Sequence, residues 1–112
     1  MLLCGMTNGR DPFRQPPCEV NFHYPDGRPK RRKHGTVIAA TKTRIHRWKV
    51  PYASRIELIQ FDDSREKHIR FAYARRTKGI WVFASQTTWT FSIKITREAI
   101  KEAEKMGLFS SA

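Results

Sequence analysis

From Thr36 onward, β-branched and aromatic residues recur in short runs separated by polar or glycine-containing breaks, a pattern of strands rather than helices. Residues 36–40 and 44–50 are expected strands, and Pro51 is expected to end the second because it has no N–H for a ladder. Residues 55–61 alternate, but their apolar phase slips between Leu58 and Ile59, as a β-bulge produces. Residues 62–66 read as a polar hairpin loop. A strand at 68–76 follows, with Ile69, Phe71 and Tyr73 on one face and Arg70, Ala72 and Ala74 on the other. Thr77-Lys78-Gly79 supplies a tight turn in which Gly79 takes the left-handed conformation. In residues 80–85 Ile80 and Val82 oppose Trp81 and Phe83, and two apolar faces predict a central strand. Trp89, Phe91, Ile93 and Ile95 repeat the period of two.

One helix is expected near the C-terminus. Thr96 is placed to cap it, Glu98 suits its positive end, Ile100, Ala103 and Met106 form a narrow apolar stripe, and Gly107 stops it. Leu108 and Phe109 are expected to fold back onto that stripe. The first thirty-five residues differ: five of the six prolines and four of the six glycines fall there, so regular structure is sparse. Within them, Val20, Phe22 and Tyr24 share one face of a possible short strand, and residues 28–34 form a self-repelling basic loop. The pattern predicts an α+β fold: a basic, partly irregular segment at 1–35, then one domain at 36–112. Its curved antiparallel sheet of four to six strands carries a C-terminal helix across one face.

Charge changes the picture more than composition does. Lys and Arg number 22 against 10 Asp and Glu, a net charge of +12, which points to a polyanionic partner. Aromatic residues make up 12% of the chain, so a core can be built without disulfides or metal, and no cofactor is expected. Cys4 and Cys18 form no metal-binding spacing and read as free thiols, which with the absence of an export signal at the N-terminus places the protein in the cytoplasm. Met6 could serve as an alternative start codon. Charges interrupt every apolar run, so no segment reaches the ~18 residues of a membrane span.

Between Asp26 and Glu57 there is no acidic residue, while Lys30, Arg31, Arg32, Lys33, Lys42, Arg44, Arg47 and Lys49 all lie there. Such a track neutralises phosphates, and Arg75, Arg76 and Lys78 extend it. Trp48, between Arg47 and Lys49, and Tyr73, before Arg75, are the aromatic residues best placed to stack unpaired bases; the others are needed for the core. Residues 85–90, a charge-free hydroxyl and amide run beside Trp81 and Trp89, are a candidate groove wall, although such groups also satisfy local backbone. Asp62, Asp63, Glu66 and His68 have the chemistry of a cation site but the setting of a turn.

The function expected is nonenzymatic binding of nucleic acid, single-stranded RNA or DNA before duplex. One alternative is a small metal-independent, toxin-like ribonuclease using His46 or His68 beside Arg. Another is an assembly protein that docks on an acidic partner. No nucleophile elbow, phosphate-cradling loop or dinucleotide fingerprint supports other enzymes. The C-terminal order, a basic strand ending Arg75-Arg76-Thr77-Lys78-Gly79, an apolar strand and a short amphipathic helix, resembles the single-strand-binding coactivators over about the last third of the chain. That resemblance implies a dimer that pairs helices and binds DNA on its sheet, and no binding residue is carried over from it. A homodimer also follows if the apolar sheet face exceeds what one short helix covers.

Overall fold

The computed structural model describes residues 1–5, 7–23, 32–48, 50–62, 65, 67–83 and 92–110. The β-rich pattern folds into a curled antiparallel sheet: β1 (Cys18–His23), β2 (Arg32–Ala40), β3 (Arg44–Trp48), β4 (Val50–Phe61), β5 (Lys67–Thr77) and β6 (Ile80–Phe83). The order is β1-β2-β4-β5-β6, and β3 pairs with β4 beyond the end of β2. One edge of the long β4 is therefore shared, residues 57–61 by β2 and residues 50–54 by β3. Thr41 holds the corner between those two strands. Its N–H donates to the Ile56 carbonyl at 2.9 Å, and its hydroxyl accepts from the Ile56 N–H at 2.9 Å, standing in for a ladder carbonyl where the chain bends.

Several expected boundaries move. Pro51 does not end a strand. It lies near the start of β4, opposite Arg47 and ahead of the residues that pair with β5, so its missing N–H interrupts no central ladder. The register does slip opposite Leu58 and Ile59, but the extra residue is Ile38 of β2. The helix α1 (Ile93–Lys105) begins earlier than Thr96: Ser92 is its cap, accepting from the Ile95 N–H at 3.2 Å, so Ile93 and Ile95 are helical rather than extended. Ala99 and Ala103 are its buried residues, Gly107 follows its end, and Leu108 folds back into the core. Met106 and Phe109 stay exposed.

Alternation gives the sheet two covered faces. On one, Ile56 and Leu58 of β4 pack with Ala99, Ala103 and Leu108, joined by Ala39, Ile69 and Ile100. The opposite face is covered by the N-terminal segment, whose residues enter the core and do not stand apart from the domain. Cys4, Cys18 and Val20 pack with Val37, Ile59 and Phe61, and Phe13 packs with Ala53, Ala72, Ala74 and Trp81. This strap also reaches both outer strands. Leu2 and Cys4 exchange hydrogen bonds with the backbone of Glu19 in β1, and the Gly9 carbonyl accepts from the Trp81 N–H of β6 at 3.0 Å. Consequently β6 is an edge strand, not the central one expected, and the strap takes the place of a further neighbour. Gly9 has φ +80°, and a Cβ there would meet Ile80 Cγ2 at 2.7 Å, so a side chain is excluded on both counts.

Cys4 and Cys18 form a disulfide rather than remaining free thiols. Their pairing withdraws the argument from unpaired thiols on which a reducing location rested.

Between the two apolar clusters of the strap side lies a buried ionic group. Arg55 and Glu57 are two residues apart on β4 and so share a face; the Arg55 Nε donates to Glu57 Oε2 at 2.8 Å. From β5, Arg70 Nε donates to Glu57 Oε1 at 2.6 Å. Both Arg55 and Glu57 are almost wholly buried, at 1% and 0% exposure. Phe13 caps the group, its ring centroid 4.9 Å from the Arg55 guanidinium carbon. Burial pushes the Arg55 guanidinium below its ordinary value while the Glu57 charge pulls it back up.

Two outcomes are expected. Glu57→Gln removes the carboxylate paired with the buried Arg55 guanidinium and should cost about 3–5 kcal/mol in urea unfolding. Cys4→Ser, which opens a loop with a sequence separation of 14, should cost about 3 kcal/mol by the loop-entropy relation. Adding dithiothreitol to the unaltered protein should reproduce that loss and should leave Cys4→Ser unchanged.

Candidate nucleic-acid interface

Strand direction decides which cations meet. β3 and β5 both run antiparallel to β4, so the C-terminal ends of β3 and β5 lie beside the N-terminal end of β4. Arg47 pairs with Pro51, and Arg75 pairs with Tyr52. Arg76 pairs with Trp81 of β6. The β5–β6 connection is a two-residue turn in which Lys78 (φ +52°) and Gly79 (φ +78°) both adopt left-handed backbone, as a tight hairpin with the twist of its strands requires. Gly79 is as expected; Lys78 does so as a non-glycine residue and projects its charge from the tip. Arg47, Arg75, Arg76 and Lys78 are all exposed and gather at this one end of the sheet.

Alternation distributes them over both faces. Arg75 shares the helix side with Tyr52 and Val82, whereas Arg47 and Arg76 share the strap side with Pro51 and Trp81. The same end exposes apolar side chains, Val50, Ile80 and Val82, with Phe71 farther along β5. The sequence holds no acidic residue between Glu66 and Glu98, and this second acid-free run meets the first, 27–56, at the shared end of β4. That second run is the signal by which sequence reading could have located the site.

Other expected members lie elsewhere. Arg44 is bound to the helix: Nη2 lies 2.6 Å from Glu102 Oε1 and donates to the Glu98 carbonyl at 3.3 Å. Lys42 is exposed beside the same carboxylate, its backbone N–H donating to Glu102 Oε2 at 2.8 Å. Arg44 is neutralised and Lys42 sits next to a negative charge, so the track expected from Lys42 through Lys49 is broken at its first half. The backbone of Arg32 and Lys33 opens β2, which lies toward the opposite end of β4 from Arg75 and Lys78. Lys30, Arg31 and Lys49, with the 85–90 run, lie outside the described residues.

The structure places Tyr73, expected as a stacking residue, largely inside the sheet. At 9% exposure it is part of the fold, its ring stacked on Tyr52 with centroids 5.7 Å apart and planes 16° apart. Tyr52, half-buried above it and opposite Arg75, is the aromatic residue at the site that sequence reading missed. Trp48 is the last residue of β3, at the same end. Of the histidines proposed for cleavage chemistry, His46 pairs with Tyr52, and His68 meets Phe61 edge-on with centroids 4.9 Å apart.

The far end of the sheet has a different electrostatic character. His34 Nδ1 hydrogen-bonds Asp62 Oδ2, and its Nε2 lies 3.8 Å from Glu19 Oε1. The Asp62 hydrogen bond raises the His34 pKa above its ordinary 6.5, outweighing desolvation, and the charges of Asp62 and Glu19 add to the rise. Among the described residues, no three His, Cys, Asp or Glu side chains form a metal-binding group, and no helix is long and apolar enough to cross a membrane.

No family model, curated protein or solved structure matches the chain, so neither the coactivator resemblance nor any other relative contributes to the reading of this site.

Because the folded state raises the His34 pKa, its contribution to stability is complete below pH 6.5 and disappears as pH rises through the higher folded value. Urea midpoints should therefore decline over that interval, and Asp62→Asn should remove that part of the decline.

Proposed function

We propose that the protein binds single-stranded nucleic acid, RNA or DNA, without cleaving it, along the end of the sheet that carries Arg47, Arg75, Arg76 and Lys78. The observation that carries this reading is the convergence of four exposed cations from the two strands that flank the start of β4 and from the turn after β5, with no carboxylate on β3 to β6 between Arg44 and Ile56 or between Lys67 and Phe83. Pairing to Glu57 and Glu102 consumes Arg55, Arg70 and Arg44 away from that end. Cations spaced along paired strand ends suit the repeating charge of a phosphate backbone, and their binding releases counterions.

Preference for single strands rests on the aromatic residues at that end. Tyr52 is backed by the buried Tyr73, so its ring is held in place without loss of side-chain freedom on binding. Trp48 closes β3 beside it in register, its partner Val50 two residues before Tyr52. Bases lifted from a duplex stack on such rings at ~1–3 kcal/mol each, and every base offers a face.

Fluorescence anisotropy with a labelled oligonucleotide at increasing NaCl tests the reading. Four phosphate contacts on a single strand correspond to a log–log salt slope of about −3, and Arg75→Gln and Arg76→Gln should each make it shallower by about 0.7. Trp48→Ala and Tyr52→Ala should weaken the single strand more than the duplex. Binding indifferent to salt, or equal for both forms, would overturn the reading.

A further inference from the structure

A cleft of about 670 Å³ opens between the strap and β3, lined on one side by residues 7, 8 and 11–15 of the strap and on the other by Thr43 and Ile45. Its size is that of a small-molecule site. The cleft combines an apolar floor with polar walls. Phe13 is buried at its base, whereas Ile45 is 51% exposed although its ladder partner Ala53 is wholly buried. A large aliphatic side chain left open over a filled core presents a surface for something flat and apolar. Around it stand Asn8, Gln15, Thr43, the carboxylate-bearing Asp11 and Arg14, whose Nε donates to the Leu3 carbonyl at 3.2 Å. The groove between α1 and β3 differs from it: Lys42, Arg44, Lys101 and Lys105 line that groove together with Glu98, Glu102 and Glu104, so its cations stand among carboxylates.

The cleft is continuous with the basic end of the sheet. Ile45 and Arg47 are two residues apart on β3 and therefore on one face, ~7 Å apart along the strand. Arg76 lies on that same face, in the register of Trp81, which packs against the cluster containing Phe13.

Resting on the reading of that end as a nucleic-acid interface, we infer that the cleft seats one unstacked base of the bound strand, with Arg47 holding an adjacent phosphate. The carboxylate of Asp11 accepts hydrogen bonds, so the base favoured is one with an exocyclic amino group on its pairing edge, such as cytosine, over thymine or uracil. The strap thereby supplies base selection to a surface whose cations alone read only backbone charge.

The test compares labelled oligo-dC and oligo-dT of equal length on the full chain by anisotropy. The unaltered protein should bind oligo-dC more tightly. Ile45→Trp, which fills the cleft from an exposed position, should lower oligo-dC affinity about tenfold, the loss of one seated base, and leave the salt slope unchanged. Asp11→Asn should bring the two oligonucleotides together. Cytidine 5′-monophosphate should shift the amide resonances of Gln15, Thr43 and Ile45 in the unaltered protein, a readout independent of the variants' folding. Equal affinity for the two oligonucleotides, or no resonance shift at those positions, overturns the base seat while salt-dependent binding persists. Loss of all salt-dependent binding overturns the interface itself, and the base seat with it.

Discussion

A carboxylate at 0% exposure cannot remain charged in a protein unless cations share its burial, and Glu57 is held between Arg55 and Arg70 for that reason. Much of the architecture follows from this group. Arg55 and Glu57 occupy the centre of β4, the strand with which β2, β3 and β5 all pair. Their side chains point away from α1, so the strap side carries charge between its two apolar clusters. A sheet face with buried ions at its middle needs a lid that offers a polarisable surface as well as apolar contacts, and Phe13 over the Arg55 guanidinium provides it. Cys18 also meets this group, its sulfur lying 3.7 Å from Arg55 Nη2.

The same pairing sorts the positive charges. Of the arginines with charge partners, Arg55 and Arg70 are drawn inward by Glu57, and Arg44 is drawn to α1 by Glu102. What is left for the surface is set by topology: two strands antiparallel to β4 deliver their basic ends to its start, while β2 carries Arg32 and Lys33 toward its finish.

Where local pattern and tertiary contact agree, the sequence was a good guide. The alternation of β5, the turn at Gly79, the slip beside Leu58 and the stop at Gly107 are all local events with local signals. The errors share a cause in long-range contact. Ile80 and Val82 resemble a central strand, but the position of β6 depends on a hydrogen bond from Trp81 to Gly9, a residue more than seventy positions away. Ile93 and Ile95 continue a period of two, yet Ser92 can cap a helix at its own position, and helix packing on Ile56 and Leu58 decides the matter. Tyr73 resembles a stacking residue beside Arg75 and Arg76, but its register with Ser54 and its contact with Tyr52 place it inside. Of the interface, Arg47, Arg75, Arg76 and Lys78 were legible from charge alone. Tyr52 was not, because only the pairing of β4 with β5 brings it beside Arg75.

The strap binds the first and last strands of the sheet, and this has a temporal meaning. Gly9 can meet Trp81 only once every residue between them has been made, long after Leu2 and Cys4 are able to meet Glu19. A nascent chain of this protein cannot close this part of its core in the order of its codons; one half of the strap must wait for β6.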